Sequence, residues 1–524
     1  MTRIHISDPI DPQGIAPLKA NPRFRITEGT SLNGPGNIEA WLVRSETKVT
    51  REGIARAKKL KLIGRAGTGV DNIDLEAATE RGILVINVPG ANAIAVAEHV
   101  FALMLAVMRK IAVADRLVKS GGWRDKTLMG SELYGKTLGL IGLGRVGKEV
   151  AKRAISFSMK VLAYDPFISE QNASALGVAS VALEELLKNS DVISVHVPLT
   201  ETSRGLISKK TISLMKPSAV LINTSRGEVV IEDDLAHALQ TGALTAAALD
   251  VYAQEPPKGS PLLKLGDQII CSPHLGATTR EAQRRVAQEL SQSVIDFFER
   301  GLVRGGVNLP PEFEPEILER LGAHLTLSER LGRFLGQMIP GVWHRLSLST
   351  TKKFSEREQK VLLHAAIRGV LSCALGNAVN MVNAAFHAKE RHIQIHSEYL
   401  AASANGIEEI SLSLRAGEGR AAAVSGRVEA SGELRIVRIG DLFVDVVPEG
   451  TLIVIDNQDK PGMIGKVGAL LGSRKINISD MRVGRKRRGK EAIMVLTLDD
   501  EVPPRVIEEL SRQNGVTRVS QIRL

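Results

Sequence analysis

The hydrophobic positions of this chain follow two rhythms. Through residues 1–95 short apolar runs recur at Ile4-His-Ile6, Ala40-Trp-Leu-Val43, Leu60-Lys-Leu-Ile63 and Gly82-Ile-Leu-Val-Ile86, with helically spaced stretches between them. Apolar runs of this length alternating with helices predict βα units and a parallel sheet. Val96 to Lys110 predicts one long helix, too apolar all round for a solvated surface, so it is expected between domains or subunits. From Lys136 the alternation resumes. Leu138–Ile141, Val161–Tyr164, Val192–Val195, Ala219–Ile222, Thr245–Leu249 and Gln268–Cys271 predict six strands of a second doubly wound sheet, closed by a helix from Thr279 to Arg300. Gly305-Gly-Val-Asn-Leu-Pro-Pro311 is a break, so the chain is expected to rejoin the first domain across 285–311.

The second rhythm begins at 312. Residues 312–450 combine one or two amphipathic helices over 357–388 with two alternating strands, Leu434–Ile439 and Leu442–Val447, and Pro448-Glu-Gly450 reads as a linker. Residues 451–524 read as strand, helix, strand, strand, helix, strand, the ferredoxin-like βαββαβ order. The expected fold is therefore α/β. It has a flavodoxin-like substrate domain (1–95 plus 285–311) and a Rossmann domain (96–284), then an α+β intervening domain (312–450) and a small regulatory domain (451–524).

Lys136 to Gly147 carries the first chemistry. Gly142, Gly144 and Gly147 form G-x-G-x-x-G between a buried strand and a helix, and Asp165 follows at the end of the next apolar run. Gly142 allows the tight turn. Gly144 lets backbone approach a pyrophosphate on the positive end of the helix, and Gly147 lets that helix pack closely. Asp165 can bind both ribose hydroxyls and would repel a 2′-phosphate, which favours NAD over NADP.

Composition narrows the class. Two cysteines, Cys271 and Cys373, in 524 residues argue against a disulfide framework and fit a reducing compartment. No signal peptide or membrane span is read, so a cytoplasmic protein is expected. The net charge of +10 goes with only 3% aromatic residues and no nucleic-acid module, so an acidic small substrate is the better partner. Residues 451–524 hold 14 Lys/Arg against 9 Asp/Glu, concentrated at Arg485-Lys-Arg-Arg488, which reads as a solvated hairpin tip.

Three residues stand just past successive strands of the second sheet: Arg226, Glu255 and His274. In an open parallel sheet these carboxyl ends face the ligand crevice. An Arg can hold a carboxylate in two parallel bonds, a His can pass a proton at neutral pH, and a Glu can orient the ring and favour the imidazolium. With NAD this predicts hydride transfer on a 2-hydroxy acid.

Asn223-Thr-Ser-Arg-Gly227, Asp250-Val-Tyr-Ala-Gln-Glu-Pro256 and Ser272-Pro-His-Leu-Gly-Ala277 resemble the signatures of the D-isomer-specific 2-hydroxyacid dehydrogenases. Val43-Arg-Ser45 and Gly64-Arg-Ala-Gly-Thr-Gly-Val-Asp-Asn72 resemble the phosphoglycerate-oxidising branch of that family. The resemblance implies the triad Arg226, Glu255 and His274. It implies NAD contacts at Thr68, Arg145, Val146, Asp165, Thr224, Ser225, Asp250, Gly276 and Ala277, and substrate contacts at Arg44, Ser45, Arg65 and Gly67. It further implies 3-phosphoglycerate as substrate, a homo-oligomer paired through the NAD and tail domains, and an ACT-type tail binding L-serine at Asp459 and Asn477. No metal, membrane or nucleic-acid partner is expected. The alternatives are a general glyoxylate/hydroxypyruvate reductase and an NAD-sensing scaffold of the corepressor type.

Overall fold

The computed structural model describes residues 1–29, 36–123, 125–310, 312–351, 354–400, 408–417 and 419–524. The first sheet has five parallel strands in the order Phe24–Glu28, Thr2–Ile6, Ala40–Val43, Leu62–Arg65, Leu84–Ile86. The switch point of this flavodoxin-like order lies between Thr2–Ile6 and Ala40–Val43. Ala40–Val43 is buried along its whole length, as a parallel strand covered on both faces must be. Phe24–Glu28 is an edge strand that the hydrophobic pattern did not announce, because only Phe24 in it is buried.

The second sheet has seven parallel strands, not six. The extra one is Ala179–Ser180, two exposed residues at the edge beyond Lys160–Tyr164. Thr137–Ile141 lies between Lys160–Tyr164 and Val192–Val195. Val220–Asn223, Ala246–Leu249 and Ile269–Cys271 follow side by side on the other wing. Helix Ala93–Met108 packs into the core of this sheet, through Ala97, Val100, Phe101 and Met104. Helix Arg280–Arg300 returns to the first sheet and buries Val286, Ala287, Leu290 and Val294 there. The two sheets thus sit on either side of a cleft.

In 312–450 a six-stranded sheet, parallel only where Trp343–Thr350 pairs Gln394–Tyr399, is covered by helices Pro315–Met338 and Glu356–Leu375. Glu356–Leu375 is long and apolar enough to cross a membrane by composition, but Val361, Leu362, Ala366, Val370 and Leu371 are core residues. The stretch 357–388 resolves into two helices, the second being Ala384–Glu390. The tail forms an antiparallel four-stranded sheet in the order Ile478–Arg485, Glu491–Leu498, Thr451–Gln458, Val516–Arg523. One face carries its own two helices. The other buries Leu452, Val454, Val495 and Ile522 in the core of the preceding domain. Pro448–Gly450 is therefore a tight crossing rather than a free linker, with Arg330 donating to the Pro448 carbonyl at 3.0 Å.

Candidate active site

The turn after strand Thr137–Ile141 has the form a dinucleotide requires. A Cβ on Gly147 would stand 2.3 Å from the Gly142 carbonyl, so the helix Arg145–Ser156 approaches the strand as closely as only glycine permits. A Cβ on Gly144 would meet nothing within 4 Å, so this side of the turn is open to a ligand. Asp165 closes the next strand, and its carboxylate accepts from Leu143 N at 2.8 Å and Phe167 N at 2.9 Å. The acid is thereby fixed beside the Gly-rich turn. Thr224 Oγ1, at the end of Val220–Asn223, is buried with no hydrogen-bond partner. An orphaned buried donor just past the end of a parallel strand fits a bound polar ligand. Ser225 braces the same loop through Asn223 Oδ1, and Val146 is the second residue of the helix.

Asp165→Ala is expected to weaken NAD by roughly 1.5–3 kcal/mol, the scale of a charge-assisted hydrogen bond, and NADP much less. Fluorescence titration with both cofactors measures the ratio. An unchanged NAD/NADP preference would assign the choice to another residue.

The three adjacent strands of the other wing end in three adjacent loops. A Cβ on Gly227 would fall 1.8 Å from the Tyr252 carbonyl carbon, so the loop carrying Arg226 lies directly against the one carrying Glu255. Glu255 Oε2 stands 2.8 Å from His274 Nδ1, and Tyr252 N donates to Glu255 Oε1 at 3.2 Å. Burial works to raise the Glu255 carboxyl, but the His274 hydrogen bond and charge prevail and hold it below its usual value. His274 adopts a positive φ of 54°, and its N–H donates to the Asp250 carbonyl at 2.9 Å. A left-handed non-glycine residue persists only where its surroundings over-determine it.

Those surroundings are built by Asp250. Its side chain is 1% exposed, and it accepts from Leu275 N (2.8 Å), Gly276 N (2.8 Å) and Ser272 Oγ (2.6 Å), with His99 Nε2 at 3.2 Å. The carboxylate thus shapes the His274–Gly276 turn, and Oδ2 keeps acceptor capacity beyond its bond from Gly276 N. Ala277 lies on the same turn. His99 and Ser272 escaped the sequence reading, because a His in an apolar helix gives no local sign of its acid partner.

Across the cleft, Arg44 follows strand Ala40–Val43, and Arg65 ends its neighbour Leu62–Arg65. The Arg44 backbone is held by Asp8, and its guanidinium reaches the Pro9 carbonyl at 3.1 Å, with Ser45 next on the same loop. Arg65 is mostly buried, its Nε has no partner, and no acid forms an ion pair with it among the described residues. Burial, then the nearby Arg226 and Arg44 charges, push its pKa down to about 10. It stays a cation at neutral pH, in a place that disfavours cations. Gly67 makes room for it, since a Cβ there would overlap the Arg65 guanidinium. Thr68 lies at the mouth, its Oγ1 3.2 Å from Asn92 Oδ1. Arg145 reaches from the Rossmann helix to the Pro89 carbonyl of the first domain, which holds the cleft together.

In the tail, Asp459 Oδ2 accepts from Arg485 Nη1 and Gly489 N, both at 2.9 Å, and these contacts hold the carboxyl below its usual range. Asn477 Nδ2 donates to Asp499 at 2.6 Å. Gly462 caps the helix Met463–Ser473 without any side-chain bond from Asp459. The basic turn is not simply solvated, because Lys486 pairs with Asp441 of the preceding domain.

Three family profiles match the chain. They are the D-isomer specific 2-hydroxyacid dehydrogenase NAD binding domain over 101–276, the D-3-phosphoglycerate dehydrogenase intervening domain over 320–440, and the ACT domain over 451–515. The D-3-phosphoglycerate dehydrogenases of Archaeoglobus fulgidus and Bacillus subtilis are 41% and 38% identical, each across all of both chains. Among solved structures, D-lactate dehydrogenase from Aquifex aeolicus complexed with NAD and lactic acid is 33% identical. It covers 57% of this chain and 96% of its own, with a TM-score of 0.51. A glyoxylate reductase from Paecilomyes thermophila is 28% identical over 60% of this chain and 99% of its own, with a TM-score of 0.53.

Proposed function

The chain belongs to the D-3-phosphoglycerate dehydrogenases, and from that premise we propose that the cleft oxidises D-3-phosphoglycerate to 3-phosphohydroxypyruvate with NAD, the first step of L-serine biosynthesis. The observation that carries the reading is Arg65, a buried cation with no acid in ion-pair contact among the described residues, on which the Arg226 and Arg44 charges act more strongly than those of Asp71 and Asp8. A small substrate with an anionic group at each end answers that arrangement.

Bound NAD supplies the hydride acceptor, and the Gly142–Gly147 turn, Asp165, Thr224 and Ser225 are the residues that hold it. Arg226 takes the substrate carboxylate. Arg65 and Arg44, over the Gly67 turn, take the phosphate. With Nδ1 engaged by Glu255, His274 Nε2 is the nitrogen that accepts the C2 hydroxyl proton, and the Glu255 carboxylate steadies the imidazolium that results. Arg226 also steadies the developing carbonyl oxygen. The test is NADH formation with D-3-phosphoglycerate against NADH consumption with glyoxylate and hydroxypyruvate. Faster turnover of the two unphosphorylated acids would make the protein a general 2-oxoacid reductase.

The assembly belongs to the same proposal. Helix Ile111–Lys119 buries none of its residues, and Ile111, Val118, Trp123 and Tyr134 are exposed around it. A second copy covering this face gives a dimer through the NAD domains, and pairing of the tail sheets gives a tetramer. A cytoplasmic location fits this use.

The tail is proposed to bind L-serine where two tail domains meet and to lower activity from a distance. The ligand's ammonium takes the place of the Arg485 guanidinium on Asp459, its carboxylate meets the N–H groups freed at Gly462, and Asn477 of the neighbouring copy completes the site. Inhibition requires serine to bind one global state better than another, typically by ~1–3 kcal/mol. Asp459→Ala is therefore expected to abolish serine inhibition with uninhibited kcat unchanged. Calorimetry with millimolar serine is the direct check, and the absence of any binding heat on the wild type would leave the tail an assembly module.

A further inference from the structure

Arg226 is held from across the cleft. Its Nε donates to Asp71 Oδ2 at 3.1 Å, and Asp71 lies 155 residues away in the first domain. Its Nη1 donates to the Ser225 carbonyl at 2.7 Å, and the Arg226 carbonyl accepts from Asn223 Nδ2 at 2.8 Å. The backbone and one edge of the guanidinium are therefore fixed. Gly69 permits this, since a Cβ there would lie 2.0 Å from Arg226 Nη2 and 2.9 Å from Asp71 Oδ2. A guanidinium has five N–H donors in a rigid fork. Nε and one Nη1 hydrogen are spent on the protein, which leaves one Nη1 and both Nη2 hydrogens for a ligand.

We propose that Asp71 is a positioning residue for the reaction: it locks the Nε edge of Arg226 so that the Nη groups meet the substrate carboxylate. The inference rests on the reading of Arg226 given above. Two features argue for orientation rather than stability. The Asp71 side chain is 66% exposed, and exposed ion pairs contribute little to folding. Asp71 also belongs to the domain that carries Arg65 and Arg44, so its bond to Arg226 fixes the carboxylate-binding group relative to the phosphate-binding ones. Small misplacements of such groups cost rate steeply.

The pair makes a prediction that differs in kind from that for Arg65. Asp71 acts on the carboxylate end, so its removal should penalise phosphorylated and unphosphorylated substrates alike. We would measure Asp71→Ala, Asp71→Asn and Asp71→Glu in the reductive direction, with 3-phosphohydroxypyruvate and hydroxypyruvate. NAD affinity and thermal midpoint would be recorded for each variant. Asp71→Ala should lose at least tenfold in kcat/KM on both substrates, with NAD affinity and thermal midpoint unchanged, and Asp71→Glu should recover part of the loss. Activity within twofold of wild type would overturn the proposal. So would a lower KM, which would make Asp71 a competitor for Arg226. A parallel fall in NAD affinity and thermal midpoint, with no recovery by Glu, would also overturn it by making the role structural. Arg226→Ala run alongside separates the two readings. If that variant keeps full activity, the assignment of Arg226 itself fails and this inference with it. If only the Asp71 variants stay active, the assignment of Arg226 stands.

Discussion

His274→Ala should lose turnover by ~10²–10⁴ while binding NAD nearly as well as the wild type. The size follows from the geometry. His274, proposed above as the proton-accepting group, stands at the carboxyl end of the sheet, 2.8 Å from Glu255 and in a left-handed backbone conformation whose N–H donates to the Asp250 carbonyl. The cofactor turn belongs to a different strand, so removing the imidazole leaves it intact. The turn itself should also survive, because Asp250 holds it through the backbone of Leu275 and Gly276 rather than through the His274 side chain. Rapid-mixing kinetics with a separate NAD titration checks both halves. A variant with near wild-type kcat would remove His274 from the chemistry.

The second large effect concerns Arg65. Arg65→Met should raise KM for D-3-phosphoglycerate tenfold or more, because a charge-assisted bond contributes about 1.5–3 kcal/mol. Unphosphorylated substrates should be much less affected. The same substitution should not lower the thermal midpoint. In the free protein the guanidinium is desolvated and has no acid in ion-pair contact among the described residues, and the Arg226 and Arg44 charges outweigh the attraction of Asp71 and Asp8. Replacing it with a neutral chain of similar length removes that repulsion, so stability should hold or rise while activity falls. Sites that sacrifice stability for binding behave this way. An equal loss on both kinds of substrate, or a large fall in thermal midpoint, would make Arg65 a structural residue.

Much of this architecture is legible in the sequence because buried parallel strands read as short, predominantly apolar runs. Ala40–Val43 and Val192–Val195 are examples, each buried at every position. The pattern fails where burial fails. Phe24–Glu28 and Ala179–Ser180 are edge strands with mostly exposed side chains. Helix Pro315–Met338 is hidden for another reason, since Gly322, Gly332 and Gly336 look like breaks. Gly332 is in fact a packing notch, where a Cβ would fall 2.3 Å from the Ala366 carbonyl of the facing helix.

The site divides the same way. Arg226, Glu255 and His274 stand out singly because each follows a strand end, and strand ends can be read locally. Their partners cannot. Asp71 lies inside a stretch that the sequence marks for its arginine and glycines, but its bond to Arg226 exists only once two domains close on each other. Asp250 is the reverse case. Its position in the sequence between Arg226 and Glu255 suggests ligand contact, and only the fold reveals that it also shapes the turn that carries His274. Arg485 likewise reads as one charge of a basic tip until the hairpin brings it onto Asp459.

The cleft is proposed to read a phosphate at one end of a 2-hydroxy acid and a carboxylate at the other. The most direct measurement is the ratio of kcat/KM for D-3-phosphoglycerate to that for D-glycerate, followed as NADH formation with the wild-type protein. Two phosphate partners at about 1.5–3 kcal/mol each predict a ratio of roughly 10² or more. A ratio near one would contradict the account, because Arg44 and Arg65 would then be reading nothing.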